Sequence, residues 1–338
     1  MRPVVWIEDP SLTVQEERIV SGALTTSEPG TRVGSIHELV AALEDPDAVA
    51  FIDGAGLEAV SWLPVNARPH RLIGVASGTL ASAIGWLGPY PWLSHAVSSS
   101  LLDHPFAQEH LAHVTSSMGA SKLRLLDWLG PDVGGRRIRL ARSIKRVERL
   151  ERMSGFFEAK GVSNRTIDQL RDVAEELLTN AFYDAPVAAG ALEKPISRTD
   201  DVVLPDQLAC DLAYGCRADL AIVRVKDPFG SLTRERLMSV LARCSSTDMG
   251  VEVDESMGGA GLGMWRVFSN ASFVAISVDA RSHTEIMVGV AKRSPGPRPF
   301  AFHLYFRDGK RPRSWNMAHE AVSTPDSQRA VNLELRSK

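Results

Sequence analysis

One segment, residues 166–185, constrains the fold most, because two different side-chain stripes follow a single helical repeat there. The apolar stripe consists of Leu170, Val173, Leu177 and Ala181. The polar stripe advances in steps of four through Asp172, Glu176, Asn180 and Asp184. Steps of four keep side chains on one slowly drifting face, so the pattern predicts a helix with a buried face and an oxygen-lined face. Because most such polar faces are simply solvated, its meaning depends on the rest of the chain.

A second feature is an apolar stretch, residues 218–226, that ends in an acidic turn. The stretch predicts a strand, and Asp227-Pro228-Phe229-Gly230 follows it. A carboxylate at this point can accept a hydrogen bond from an exocyclic amino group, which favours adenine over a base that offers a carbonyl. The alternative is an ordinary Asp-Pro turn that closes the strand.

A third feature is the glycine run Gly258-Gly259-Ala260-Gly261-Leu262-Gly263, which precedes a predicted helix over residues 264–271. Glycines let backbone N–H groups approach a phosphate, and the N-terminus of a following helix adds positive potential at the same place. Glycine loops are common, so this signal is weak alone. Residues 273–277 and 285–290 then predict a β-hairpin.

In order and content, these features resemble the GHKL ATPases over residues 136–295. The resemblance implies a C-terminal Bergerat α/β sandwich that binds ATP and Mg²⁺. It implies that Glu176 orients or deprotonates an attacking hydroxyl, that Asn180 holds Mg²⁺, and that Asp227 reads adenine. The other nucleotide-binding positions it implies are Asp184, Gly230, Gly259, Gly261, Leu262 and Gly263.

The adenine box departs from the family pattern. GHKL proteins usually carry Asp-x-Gly-x-Gly there, whereas Phe229 and Ser231 stand in place of the two later glycines. We therefore expect Phe229 to crowd the base or to stack on it. The resemblance further implies that residues 244–257 form a lid over the nucleotide.

The N-terminal region, residues 1–115, alternates short apolar runs with helical patterns. Strands are predicted at residues 4–7, 49–52, 71–76 and 94–98, with a helix at residues 36–43. This alternation predicts a parallel sheet covered by helices. Glu8, Asp9 and Asp53 follow two of the strands and should meet at one sheet edge, where ligand crevices form.

The acidic edge and strand order resemble a response-regulator receiver domain. The resemblance implies that Asp9 and Asp53 bind a metal ion and that Asp53 accepts a phosphoryl group. The lysine that receivers carry near their last strand is missing from residues 95–100. We favour a degenerate receiver-like scaffold used for docking; a phosphorylatable Asp53 and an unrelated α/β domain are the alternatives.

The sequence thus predicts a two-domain protein of α/β and α+β type. Its predicted segments are a receiver-like domain at 1–115, a linker helix at 116–135, an ATP-binding domain at 136–295, and a strand and tail at 296–338. The arginines of residues 136–152 are expected on a solvated helix face, a partner or homodimer surface being the alternative. Residues 298–307 predict an edge strand, and residues 308–338 a polar tail.

Composition narrows the setting. The formal net charge of −3 gives no general attraction to nucleic acid, so we expect no nucleic-acid partner. Three cysteines without paired spacing, Cys210, Cys216 and Cys244, fit a reducing compartment and passive packing. Residues 72–93 are uncharged, but their glycines and prolines predict buried strand, helix and loop rather than a membrane span. The first residues do not resemble a signal peptide, and we expect a cytoplasmic protein.

Three functions fit these features. The compact form resembles the serine/threonine kinases that act as anti-sigma factors, which implies a sigma factor, an antagonist or another signalling protein as partner. The first alternative is a partner-switching scaffold that binds ATP without transferring phosphate. The second is a histidine-kinase-like domain that acts on a histidine of another chain.

Overall fold

The fold is organised around one eleven-stranded mixed sheet with helices on both faces. The structure is a computed structural model. The residues that it describes are 2–20, 30–78, 80–118, 123–130, 133–192, 195–245, 260–292, 296–307, 317–322 and 330–335.

The N-terminal half of the sheet is entirely parallel. Its strands are β1 (Arg2–Trp6), β2 (Thr31–Arg32), β3 (Ala48–Ile52), β4 (Leu72–Ala76) and β5 (His95–Ser98). They lie in the order β2-β1-β3-β4-β5, one of the common orders of doubly wound sheets. The accompanying helices are α1 (Thr13–Val20), α2 (Ile36–Ala42), α3 (Gly54–Ser61), α4 (Leu80–Gly85), α5 (Ser99–Leu102), α6 (Ala107–Ser117) and α7 (Leu125–Leu129). The four strands and the helix predicted for this region are confirmed.

The C-terminal half of the chain extends the same sheet and forms a second, smaller one. Its strands are β6 (Gly135–Leu140), β7 (Asp201–Val203), β8 (Cys210–Cys216), β9 (Leu220–Asp227), β10 (Phe273–Asp279), β11 (His283–Ala291), β12 (Ala301–Arg307), β13 (Met317–Val322) and β14 (Ala330–Leu335). Its helices are α8 (Arg146–Ala159), α9 (Asn164–Thr179), α10 (Ala185–Ala188), α11 (Arg234–Ser245) and α12 (Ala260–Asn270). From β5 the sheet runs β12-β10-β11-β9-β8-β6, and β13-β14-β7 form a small second sheet.

Two cores lie on opposite faces of the large sheet, and each extends through both halves. Side chains alternate between them: Trp6 and Ile52 face one core, whereas Val5 and Phe51 face the other. Helices α2, α3, α4, α8, α9, α11 and α12 cover the first core, and α1, α5, α6 and α7 cover the second. Strands buried on both faces read as continuous apolar runs, which is why β3 and β4 are recognisable in the sequence.

Strand β12 joins the two halves, which corrects the predicted edge strand at residues 298–307. It pairs antiparallel with β5 and parallel with β10. Phe302 and Leu304 face one core, as their spacing predicts, but Ala301 and Tyr305 are buried on the other face. The alternating apolar residues therefore identify one buried face of the strand, but they do not show that the other face is exposed. The predicted division at residues 116–135 stays a prediction.

A chain of three buried histidines crosses this junction. Nδ1 of His95 on β5 lies 3.2 Å from Nδ1 of His303 on β12. Nε2 of His303 lies 2.9 Å from Nε2 of His110 on α6. All three rings are at most 4% exposed. Because each contact joins two ring nitrogens, one partner must donate and the other accept, and uncharged imidazoles satisfy this.

Two further expectations change in the structure. Arg136, Arg137 and Arg139 lie on the sheet-edge strand β6, and the helical part of the basic segment begins only at Arg146. The predicted polar tail contains β13 and β14, of which β14 pairs with β7. The other expectations fit: Cys210 and Cys216 are buried and unpaired, and residues 72–93 form β4, α4 and loops. Among the described residues, no helix has the length and apolarity to cross a membrane.

Candidate functional site

Helix α9 positions the polar stripe that the sequence predicts. Ser163 caps its first turn by accepting a hydrogen bond from the N–H of Thr166. The apolar stripe is buried in the first core, as predicted. The helix then widens into a π-helical turn, Asn180–Asp184. Such single turns often occur at functional sites, and this one places Asn180 and Asp184 on the wall of a cavity.

The cavity lies between α9, α11, α12 and the strands β9 and β11. Its empty space, part of which is open to solvent, is about 750 Å³. Its polar lining residues are Asn180, Asp184, Asp227, Ser231, Arg236 and Thr284. Its apolar lining residues are Leu177, Ala181, Ala185, Ala188, Val225, Leu232, Leu237, Val240, Met264 and Ile286. Small-molecule sites usually combine an apolar wall with a few polar groups that fix the ligand.

Asp227 is the buried acid of the cavity. It stands at the end of β9 and is 9% exposed, and its Oδ1 accepts hydrogen bonds from the N–H groups of Phe229 (2.8 Å) and Gly230 (3.3 Å). Burial raises the pKa of Asp227 to about 6, although these two hydrogen bonds oppose the rise. A group in this state can accept or donate a hydrogen bond near neutral pH, which suits ligand recognition.

Two polar residues of the cavity are not predicted from the sequence. Thr284 stands opposite Asp227 in the β9–β11 pairing. Arg236 reaches the cavity from α11, and its charge acts against the burial that raises the pKa of Asp184. The predicted hairpin strand began at residue 285, one residue too late to include Thr284.

Glu176 and Gly263 meet where α9 packs against α12. A Cβ atom added to Gly263 would overlap the carboxylate of Glu176, so a larger residue here would displace that carboxylate. Glu176 is not among the cavity-lining residues. Burial raises its pKa, and its Oε1 has no hydrogen-bond partner within the described ranges. The asparagine motif and the end of the glycine run are therefore in direct contact.

The described part of the glycine run, from Ala260 on, lies inside the helix, because α12 starts at Ala260, four residues before the predicted start at 264. The backbones of Gly261, Leu262 and Gly263 thus belong to its first turn, and the first N–H groups of a helix lack helical partners and suit an anion. Gly259 and residues 246–257 of the expected lid lie outside the described residues.

Gly230 and Phe229 serve the framework of the site. Gly230 has φ +59°, and a Cβ atom there would overlap the backbone of the β10–β11 turn. Its carbonyl accepts a hydrogen bond from the N–H of Arg281 at 3.0 Å. Phe229 is buried in the first core and does not line the cavity. Its position therefore does not support the expectation that it crowds a bound base or stacks on it.

We expect Gly230→Ala to destabilise the protein by at least about 2 kcal/mol, because the positive φ and the backbone overlap cannot both be relieved by moving one side chain. Urea unfolding measures this effect. Gly155→Ala on α8 is the matched control, since a Cβ atom there meets nothing within 4 Å and alanine favours a helix. Equal stability of the two variants would contradict the role given to Gly230.

The acidic edge of the N-terminal half is also assembled as predicted. Asp53 is 2% exposed, and its Oδ2 accepts the N–H groups of Glu8 (2.6 Å) and Asp9 (2.8 Å). Its Oδ1 accepts those of Ala55 (3.1 Å) and Gly56 (3.2 Å), which caps α3. Both oxygens of Asp53 are thus engaged by the backbone, and its carboxylate ties β1 to β3.

Asp9 lies beside this group, and its main hydrogen bonds are to Ser11. Its Oδ1 accepts hydrogen bonds from the N–H (2.8 Å) and the hydroxyl (2.7 Å) of Ser11. These bonds lower the pKa of Asp9. In the part of the chain that the structure describes, no three His, Cys, Asp or Glu side chains form a group able to hold a metal ion.

Comparison with known proteins does not assign the chain to a family. No protein-family model matches it, and no significant match was found among curated proteins. Any statement of function therefore depends on the residues and on their geometry.

Proposed function

We propose that the chain is a signalling protein that binds Mg²⁺·ATP in this cavity and regulates a partner protein as a serine/threonine kinase of the anti-sigma type. The observation that carries the proposal is the convergence of Asn180, Asp184 and Asp227 on one cavity, although 47 positions separate the first residue from the last. The contact between Glu176 and Gly263 adds the third element of the GHKL pattern, because it joins the glycine run to the helix that carries Asn180.

The lining residues fit an adenine nucleotide. Val225, Met264 and Ile286 offer apolar surface to a planar base, and ionised Asp227 would accept its exocyclic amino group. The first turn of α12 would bind phosphate oxygens through backbone N–H groups. The side-chain oxygen of Asn180 suits Mg²⁺, which takes few protein ligands and completes its shell with water and phosphate. Bound Mg²⁺·ATP supplies a transferable phosphoryl group.

Glu176 is the proposed base toward a hydroxyl of the partner protein. Its pKa is raised mainly by burial, with the charge of Asp184 adding to the rise and that of Arg198 opposing it. A partly desolvated carboxylate with an unpaired oxygen is a better proton acceptor than a solvated one. The residue would orient the hydroxyl, so its contribution is positional as well as basic.

The N-terminal half is proposed to be a degenerate receiver-like docking module. The parallel order β2-β1-β3-β4-β5 supports the receiver-like part of this proposal. The engagement of both Asp53 oxygens by four backbone N–H groups favours a structural role over phosphorylation. The specific partner could be a sigma factor, an antagonist of one, or another signalling protein.

Phosphate transfer from labelled ATP to candidate sigma factors and antagonists tests the proposal. We expect acid-stable phosphate on a serine or threonine of one partner, and a loss of about 10²–10⁴-fold in rate with Glu176→Gln. Glu175→Gln is the matched control, because Glu175 forms an ion pair with Arg146 (3.7 Å) and does not line the cavity.

The other outcomes point to the two alternative functions. Binding of ATP without transfer to any partner would replace the kinase with a partner-switching scaffold. Acid-labile phosphate on a partner would indicate transfer to histidine in trans.

A further inference from the structure

Helix α11 has two faces that serve different parts of the molecule. Arg236, Leu237 and Val240 face the cavity. Arg234 and Ala242, on another side of the same helix, contact the N-terminal half. Helix α11 therefore forms part of the cavity wall and also contacts the N-terminal half of the chain.

The contacts of Arg234 are specific. Its Nη1 donates to the carbonyl oxygens of Pro91 (3.1 Å) and Leu93 (3.4 Å), and its Nη2 donates to the hydroxyl of Ser94 (2.8 Å). A planar guanidinium that donates to three acceptors in one loop fixes both orientation and distance. Further along the helix, Cβ of Ala242 lies 3.7 Å from the place where a Cβ atom of Gly88 would stand.

The loop that receives Arg234 is itself anchored. Ser94 precedes His95, the first residue of β5, and the carbonyl of Ser94 accepts a hydrogen bond from the N–H of Leu304 on β12 at 2.7 Å. Movement of residues 91–94 would therefore disturb the strands that join the two halves of the sheet. It would also pull on the first turn of α11.

We propose that Arg234 couples the occupancy of the cavity to the packing of residues 80–94, so that the N-terminal half regulates nucleotide binding through α11. This inference rests on the proposed nucleotide site. A ligand that holds Arg236, Leu237 and Val240 in place restricts α11, and α11 restricts the loop through Arg234. By reciprocity, a partner that displaces the loop weakens nucleotide binding by the same factor.

Hydrogen exchange on the full chain, with and without Mg²⁺ and a non-hydrolysable ATP analogue, tests the coupling. In the wild type, we expect the nucleotide to slow exchange in α11 and in residues 80–94 as well as in α9 and β11. In Arg234→Ala, protection should persist in α9 and β11 but disappear from residues 80–94, and affinity should fall about tenfold. Arg152→Ala is the control, because Arg152 pairs with Glu148 at 2.6 Å on α8.

The ligand-free protein separates failure of the coupling from failure of the proposed site. Without nucleotide, Arg234→Ala should speed exchange in both α11 and residues 80–94, whereas Arg152→Ala should not. If the analogue changes hydrogen exchange in no part of the chain, the proposed nucleotide site is wrong. The comparison of the ligand-free proteins then still tests the coupling between α11 and residues 80–94. Unchanged exchange of α11 in Arg234→Ala would overturn it, as would wild-type protection confined to the cavity.

Discussion

Replacing Asp227 with asparagine is expected to stabilise the protein and, at the same time, to remove its preference for adenine. Burial raises the pKa of Asp227 from its ordinary 3.8 to about 6. Because the folded state holds the proton more tightly than the unfolded state, stability falls as pH rises from 3.8 to about 6 and stays low above it. At pH 8 the cost is about 3 kcal/mol, taken at about 1.4 kcal/mol for each pH unit.

Asparagine avoids this cost because it does not ionise. Its carbonyl oxygen can still accept the N–H groups of Phe229 and Gly230, so the turn after β9 is kept. Urea unfolding at pH 8 should therefore show Asp227→Asn to be more stable than the wild type, with a much smaller gain at pH 4. ATP affinity of the variant should fall at least tenfold.

Asp211→Asn provides the opposite case. Asp211 is also buried but is paired with Arg137 at 2.7 Å, so its neutralisation removes an ion pair and should not stabilise the protein. A residue that costs stability in place is commonly retained for function. If Asp227→Asn lowered stability at pH 8 or left ATP affinity unchanged, Asp227 would be a structural residue only.

Acidification is expected to weaken the junction between the two halves of the sheet. Burial lowers the pKa of His95 and of His110 to about 3, and the charges of Arg234 and Arg217 respectively act in the same direction. The pKa of His303, between them, is also lowered by burial. His113 is the other ionisable group that acts on His110 and His303, and it disfavours their protonation too.

The sign follows from these lowered values. The unfolded chain takes up protons near pH 6.5 and the folded chain does not, so stability is complete above about 6.5 and is lost as pH falls toward 3. At pH 5 one such histidine costs about 2 kcal/mol, and the other two add to this cost because all three take up protons independently in the unfolded chain.

Unfolding by urea at pH 7 and pH 5 measures the effect. His303→Asn should be less stable than the wild type at pH 7 but should lose less on acidification, because one member of the chain no longer titrates. His37→Gln on α2 is the control, since His37 is exposed and should leave the pH dependence unchanged. An unaltered pH dependence in His303→Asn would show that the histidine chain is not its source.

Much of the fold is predictable where local pattern and final environment agree. Strands β3 and β4 read as apolar runs because both of their faces are buried, and α9 shows its core stripe directly. Strand β6 was missed because its closely spaced arginines sit on a sheet edge, where exposure hides the alternation. The position of β12 depends on pairing with β5, about 200 residues earlier in the chain, and local sequence contains no signal for such a partner.

The candidate site shows the same division. The sequence could indicate Asn180, Asp184 and Asp227 because it shows a helix repeat and the end of a strand. In the structure all three line one cavity. Thr284 and Arg236 could not be found this way, since their places depend on strand register and on the packing of α11. The sequence predicted that Asp53 would meet Glu8 and Asp9 but could not show that backbone N–H groups would occupy both of its oxygens.

The most direct test of the proposed site is calorimetric titration of the full chain with Mg²⁺·ATP and, separately, with Mg²⁺·GTP at pH 7.5. We predict saturable binding of ATP at submillimolar concentration and binding of GTP at least tenfold weaker, because guanine presents a carbonyl where adenine presents the amino group that Asp227 would accept. Absence of ATP binding at several millimolar, or equal affinity for the two nucleotides, would contradict the assignment of this cavity to adenine.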